Sequence, residues 1–162
     1  KLLRLQILEN PIFKDFDVHL YDKSDSPKNP YTTLIIGPNG TGKSNLLRAI
    51  ILLFAELSEF KTTGKRNNKF IGRFRLEYEI EGKTFIYLNH LFEDESVIKD
   101  QKITKAQIWA NGTIATHKQI IIPNAVIALS VMLTDKFPTD IQNFSEYVYL
   151  GAKINSNTAR TS

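Results

Sequence analysis

The residues from Gly37 to Ser44, Gly-Pro-Asn-Gly-Thr-Gly-Lys-Ser, are those whose types and spacing most plainly specify chemistry. They satisfy the pattern G-x-x-x-x-G-K-[ST] at every fixed position. Gly37, Gly40 and Gly42 can turn backbone N–H groups inward around an anion with no Cβ in the way. Lys43 brings a compact positive charge to the β- and γ-phosphates of a nucleotide and is the candidate catalytic group. The Ser44 hydroxyl is the candidate Mg²⁺ ligand, the ion keeping most of its other positions for water and phosphate oxygens. Pro38, Asn39 and Thr41 occupy variable positions of the loop, and Asn45 follows it directly. At average residue usage the fixed positions co-occur by accident in roughly one chain of this size in a few hundred. The flanks argue against accident, with an apolar β-branched run before the loop and an amphipathic helical pattern after it. ATP and Mg²⁺ are the expected cofactors.

Other reactive residue types are sparse. There is no cysteine, which excludes disulfides and thiolate metal sites. His19, His90 and His117 are scattered without partner acids at ligand spacing, so neither a zinc site nor a nucleophilic triad is indicated. Leu91-Phe92-Glu93-Asp94-Glu95 is acidic, but Glu93 interrupts the apolar run, and the segment reads as a solvated turn. Lys61, Lys65, Arg66 and Lys69, with Arg73 and Arg75, form the densest basic region. It reads either as a salt-sensitive contact to a nucleic-acid backbone or as a solvated loop. Glu77 and Glu79 on the same strand face break its continuity. The tyrosines do not interleave with basic residues into a base-stacking platform. Tyr21 or Tyr31 is a candidate to stack on adenine, with ordinary packing as the alternative.

The elements that must position the loop are legible from periodicity. Leu2 to Leu8 alternates and predicts a strand; Phe16, Val18 and Leu20 predict a second after a turn at Asn10-Pro11. Residues 22 to 30 carry the Ser, Asp, Pro and Asn of a surface loop. Thr32 to Ile36 predicts a buried strand leading into the phosphate loop. From Lys43 to Glu59, Leu46, Leu47, Ile50, Ile51, Phe54 and Leu57 follow helical spacing. Lys61 to Lys69 predicts a mobile loop. The period then becomes two, with Phe70, Gly72, Phe74, Leu76, Tyr78 and Ile80 on one face, turning at Glu81-Gly82 into a hairpin. A second hairpin is predicted around Asn111-Gly112. Ala125 to Leu133, between Pro123 and Pro138, predicts a buried strand. Beyond Phe144 the sequence turns small and polar and predicts a flexible end over 151–162.

With 162 residues, 42% hydrophobic and 23% charged, the chain is of ordinary domain size and globular composition. Its net charge of +4 suits nucleotide or nucleic-acid partners without specifying them. No apolar run approaches the roughly 18 residues of a membrane span, and a cytoplasmic location with no membrane partner is the expectation.

The run Leu34-Ile35-Ile36 through the loop to Asn45-Leu46-Leu47-Arg48-Ala49-Ile50 resembles the head domains of structural-maintenance-of-chromosomes, RecF and OLD-type ATPases. These are ABC-class ATPases of DNA repair, chromosome handling and anti-phage defence. Asn39-Gly40 within the loop and Asn45-Leu46-Leu47 after it carry the likeness, as does Leu5 to Asn10 followed by Phe13-Lys14-Asp15-Phe16. The resemblance implies an α/β P-loop NTPase, an ABC-ATPase head-like N-terminal lobe with an antiparallel β subdomain. Residues 1–60 would hold the first strands, loop and helix, 69–122 a β-rich insert, and 123–150 a core strand and following segment. It further implies a homodimer of heads sandwiching ATP, with DNA and/or a nuclease or effector subunit as partner. Where the family places an aromatic and a basic residue after the asparagine, this chain has Pro11-Ile12, leaving Lys14 as the nearest basic substitute. Neither a serine-glycine-glycine segment nor an apolar run ending in Asp-Glu is present. Asp135, after the 125–133 strand, is the candidate further Mg²⁺ ligand, with Gln142 nearby. The implied account is an N-terminal lobe of a longer ATPase whose catalytic acid lies past Ser162. Two rivals stand beside it: a non-hydrolysing nucleotide sensor controlling assembly with an effector, and a small-molecule kinase, against which Asn45 and the β-rich insert argue.

Overall fold

The computed structural model describes residues 1–21, 32–66, 70, 72–89, 106–130 and 136–151. Its largest element is an antiparallel sheet in the order β2-β1-β3-β4-β5-β6. The strands are β1 (Leu2–Asn10), β2 (Lys14–His19), β3 (Arg73–Ile80), β4 (Lys83–Leu88), β5 (Gln107–Ala110) and β6 (Thr113–Ala115). Strand β1 pairs with both β2 and β3, so the opening strands and the insert share one sheet. Alternation in each strand places Leu5, Ile7, Phe74, Leu76, Tyr78, Phe85, Tyr87 and Ile108 on one buried face.

Helix α1 (Lys43–Thr63) lies against that face. Phe54 meets Tyr78 edge-on with ring centroids 5.5 Å apart, and Phe60 meets Tyr87 at 5.5 Å. The helix runs past the Glu59 expected from the apolar spacing, because Lys61, Thr62 and Thr63 continue it on its solvent side. Gly64, at φ 68°, ends it by donating its N–H to the Phe60 carbonyl. The predicted loop therefore begins three residues later than Lys61, and residues 67–69 lie outside the described part.

A short parallel sheet completes the described chain, β7 (Val126–Ser130) beside β8 (Tyr147–Gly151). Ala128 and Tyr147 join the main core, while Ile127, Leu129, Val148 and Leu150 are exposed. The expectation of a buried strand at 125–133 is thus corrected: β7 is buried on one face only. Strand β8 was not anticipated; Tyr147-Val148-Tyr149-Leu150 is a short β-forming run hidden next to a polar tail. The connection is held by buried Phe137, Ile141 and Phe144, and by the Tyr147 hydroxyl donating to the Pro138 carbonyl at 2.5 Å.

The predicted strand at 32–36 is also corrected. No strand forms there; Leu34 is 77% and Ile36 82% exposed. A β-branched run becomes a strand only when neighbours accept its backbone hydrogen bonds, and no described strand pairs with it. What ties it down is Thr33, whose hydroxyl donates to the Leu20 carbonyl at 3.2 Å. The core sheet expected to carry the phosphate loop is accordingly absent from the described residues, and helix α1 is what anchors the loop.

Candidate nucleotide site

The loop owes its shape to two glycines. Gly40 (φ 87°) and Gly42 (φ 92°) are left-handed, and a Cβ on either would meet nothing within 4 Å. Backbone conformation, not lack of space, requires glycine there. Gly42 is the N-cap of α1, and Leu46 donates its N–H back to the Gly42 carbonyl at 2.9 Å, closing the first helical turn. No side chain caps this end, and the first turn has no acidic residue. The first N–H groups of a 21-residue helix are thus left for another acceptor, with the helix dipole adding positive potential.

Lys43 folds back over the loop. Its ammonium donates to the carbonyls of Gly37 and Pro38, both at 2.6 Å, and the Thr41 hydroxyl donates to the Pro38 carbonyl at 2.9 Å. These bonds draw both ends of the loop together around the lysine. An ammonium has three donors, so one remains with both carbonyl bonds kept. Ser44 is exposed at the same helix end, and Asn45 is half-buried one residue further.

In front of the loop is a cavity of about 500 Å³. Gly37, Pro38, Thr41, Gly42 and Lys43 form its polar end; Ile12, Phe13, Phe16, Ile35, Ile36 and Leu46 form the rest. The hairpin wall is set by Asn10, whose side-chain oxygen accepts the N–H groups of Ile12 (2.8 Å) and Phe13 (3.2 Å). This turn swings Ile12 and Phe13 onto the cavity, and Phe13 packs on Phe16 with centroids 5.7 Å apart. The sequence placed a turn at Asn10-Pro11 and named Phe13 only as part of a resemblance; the asparagine two residues before an apolar pair was the local signal for the placement of Ile12 and Phe13.

The remaining sequence candidates fall elsewhere. Lys14 is exposed and does not line the cavity. Tyr21 is engaged by Lys1, whose ammonium lies 4.6 Å from the ring centroid, and does not line the cavity. Asp135, Tyr31, His90, Lys69 and 91–95 lie outside the described residues. Gln142 is exposed in a turn. Among the described residues no cluster of metal-ligating side chains forms.

The three arginines of the basic region are held in ion pairs. Arg73 pairs with Glu9 at 2.7 Å and Arg75 with Glu77 at 3.2 Å. Arg66 pairs with Glu56, a carboxylate 0% exposed in the middle of α1. Glu56 also accepts the Phe70 N–H at 2.9 Å and the Tyr87 hydroxyl at 3.3 Å, while Arg66 donates to the Phe70 carbonyl at 2.7 Å. The reading of 61–69 as a simple solvated loop therefore fails at Arg66, which joins helix to sheet.

The sequence profile of the AAA domain family matches residues 5–160. The chain belongs to the AAA domain family. That membership covers nearly the whole chain and gives it a P-loop NTPase-type fold, in a family of nucleotide-binding, ATPase-type domains. No curated protein and no solved structure matches the chain. No helix among the described residues is long and apolar enough to cross a membrane.

Proposed function

We propose that this AAA domain binds ATP with Mg²⁺ and is the N-terminal lobe of an ABC-class ATPase head of the SMC, RecF or OLD kind. The observation that carries the binding is the uncapped, acid-free start of α1, with the Lys43 ammonium laid across it and a cavity of about 500 Å³ in front. A triphosphate fits this chemistry: backbone N–H groups of the loop and first helical turn would donate to its oxygens, and Lys43 supplies a further donor. Ser44, exposed at the start of α1, is the residue that would hold Mg²⁺, which when bound neutralises phosphate oxygens. Positioning and charge neutralisation are the contributions these residues make to phosphoryl transfer.

On this reading two heads sandwich ATP, and hydrolysis separates them, driving work on DNA or on a nuclease partner. The ABC-type resemblance of Asn39-Gly40 and Asn45-Leu46-Leu47 supports it. A nucleotide sensor that binds without turnover is favoured by one observation: among the described residues no carboxylate lines the cavity. Calorimetry with Mg²⁺-ATP tests the binding, and Lys43→Ala should weaken it at least about tenfold, the effect of losing one charged hydrogen bond. Unchanged affinity in Lys43→Ala rejects the site. Phosphate release by the dimerised protein separates ATPase from sensor.

A further inference from the structure

We propose that Arg48 is a second cation of the nucleotide site, its guanidinium donating to the polyphosphate from a cavity beside the one that Lys43 lines. The inference rests on the nucleotide reading and adds to that site a residue outside the glycine-loop pattern. The second cavity, of about 200 Å³, adjoins the first, since Ile12 and Phe13 line both. Its polar side chains are Asn10, Asn45 and Arg48. Asn10 is buried and spends its oxygen on the N–H groups of Ile12 and Phe13, whereas Arg48 is exposed and open to an anion from solvent.

Position on α1 brings Arg48 to the anion end of the helix. It follows Ser44 by one turn, so the two residues share a helix face. Helical side chains lean toward the N-terminus, which carries the guanidinium back over the turn that begins at Ser44. The other described arginines, Arg4, Arg66, Arg73 and Arg75, are held by Asp17, Glu56, Glu9 and Glu77; among the described residues Arg48 joins no ion pair. Charge balance calls for such a group. A magnesium triphosphate keeps a net negative charge, and Lys43 turns part of its donor capacity to the Gly37 and Pro38 carbonyls. A guanidinium is always ionised, and its planar fork of donors matches phosphate oxygens. The cavity wall at Phe70 is also fixed, its N–H donating to Glu56 at 2.9 Å and its carbonyl accepting from Arg66 at 2.7 Å.

The test is calorimetric titration of the whole chain, and of Arg48→Gln and Arg48→Lys, with Mg²⁺-ATP and with Mg²⁺-tripolyphosphate as a base-free probe, each at low and high KCl. Arg48→Gln keeps length and hydrogen-bonding capacity but not charge. It should weaken both ligands by about fivefold to tenfold at low salt, as loss of one charge-assisted hydrogen bond at an exposed position does. It should also flatten the salt dependence of binding. Arg48→Lys keeps the charge and should retain most of the affinity and the wild-type salt response. Unchanged binding in Arg48→Gln overturns the proposal. Weakening of Mg²⁺-ATP alone overturns it too, by putting Arg48 on the base or ribose, as does equal loss in both variants, which would make its role one of shape. Failure of the wild-type chain to bind either ligand rejects the nucleotide reading itself, an outcome distinct from these.

Discussion

The antiparallel sheet with α1 and the parallel pair β7–β8 spend their apolar residues in different patterns, and exposure follows pattern. In β3 the order is alternating, Phe74, Leu76 and Tyr78 facing the core while Arg73, Arg75 and Glu77 lie on the opposite face, where Arg75 is buried and paired with Glu77. Short hairpins pair β1 with β2, β3 with β4 and β5 with β6, and the helix that follows the loop covers the face the sheet makes. In β7 and β8 both faces are apolar. The register sets Ile127 against Val148 and Leu129 against Leu150, gathering four exposed apolar side chains on one side. Parallel sheets are ordinarily covered on both faces by the elements that connect their strands. The run Leu34–Ile36 shares this character. The comparison teaches that hydrophobicity alone does not bury a segment; an element must also be available to lie on it.

The sharpest way to probe the finished half is Glu56→Ala. It removes the acceptor of the Phe70 N–H, the Tyr87 hydroxyl and the Arg66 guanidinium together. Urea unfolding should show a loss of about 3–5 kcal/mol, the cost of breaking a buried charged pair from one side. A loss below about 1 kcal/mol would mean that the network does not join helix to sheet.

The comparison itself is tested by a matched pair of truncations. Leu76→Ala, in the core, should cost about 2–5 kcal/mol. Leu129→Ala, where the side chain is 71% exposed, should cost about 0.5 kcal/mol or less. Equal costs would show that the outer face of β7 is covered in solution.

A smaller effect should appear at high pH. Burial pushes the phenols of Tyr78 and Tyr87 well above the usual tyrosine value, with the Glu56 carboxylate adding to the shift at Tyr87. The unfolded chain ionises these groups near pH 10 while the folded chain keeps them protonated. The unfolded state therefore binds fewer protons, and stability falls as pH rises above about 10. Each phenol should contribute a loss of about 1.4 kcal/mol by pH 11. Unfolding midpoints measured across that range should flatten in Tyr78→Phe, the tyrosine without an ionisable partner in its hydrogen bond.

The shape of the glycine loop was legible because it is set locally. Left-handed glycines, a lysine and a helix start lie within eight residues, and no distant contact is needed to shape them. The hairpins were legible for the same reason, since period-two alternation and Gly-containing turns are short-range signals. Arg66 was not, because its partner Glu56 becomes one only when α1 and β4 enclose them both. The wall of the cavity was not legible either, since Ile12 and Phe13 reach the loop through the fold and not through the chain.

Sequence by itself determined the glycine loop, the amphipathic helix behind it and the alternating strands, all features fixed by backbone preference and side-chain period. Tertiary structure alone decided that β1 joins the opening strands to the insert in one sheet, because register between distant strands is set by which faces can be buried together. It also decided that Leu34 and Ile36 remain exposed and that Val148 and Leu150 belong to a strand. A β-strand is defined by its neighbours' hydrogen bonds, and no run of residues carries its neighbours with it.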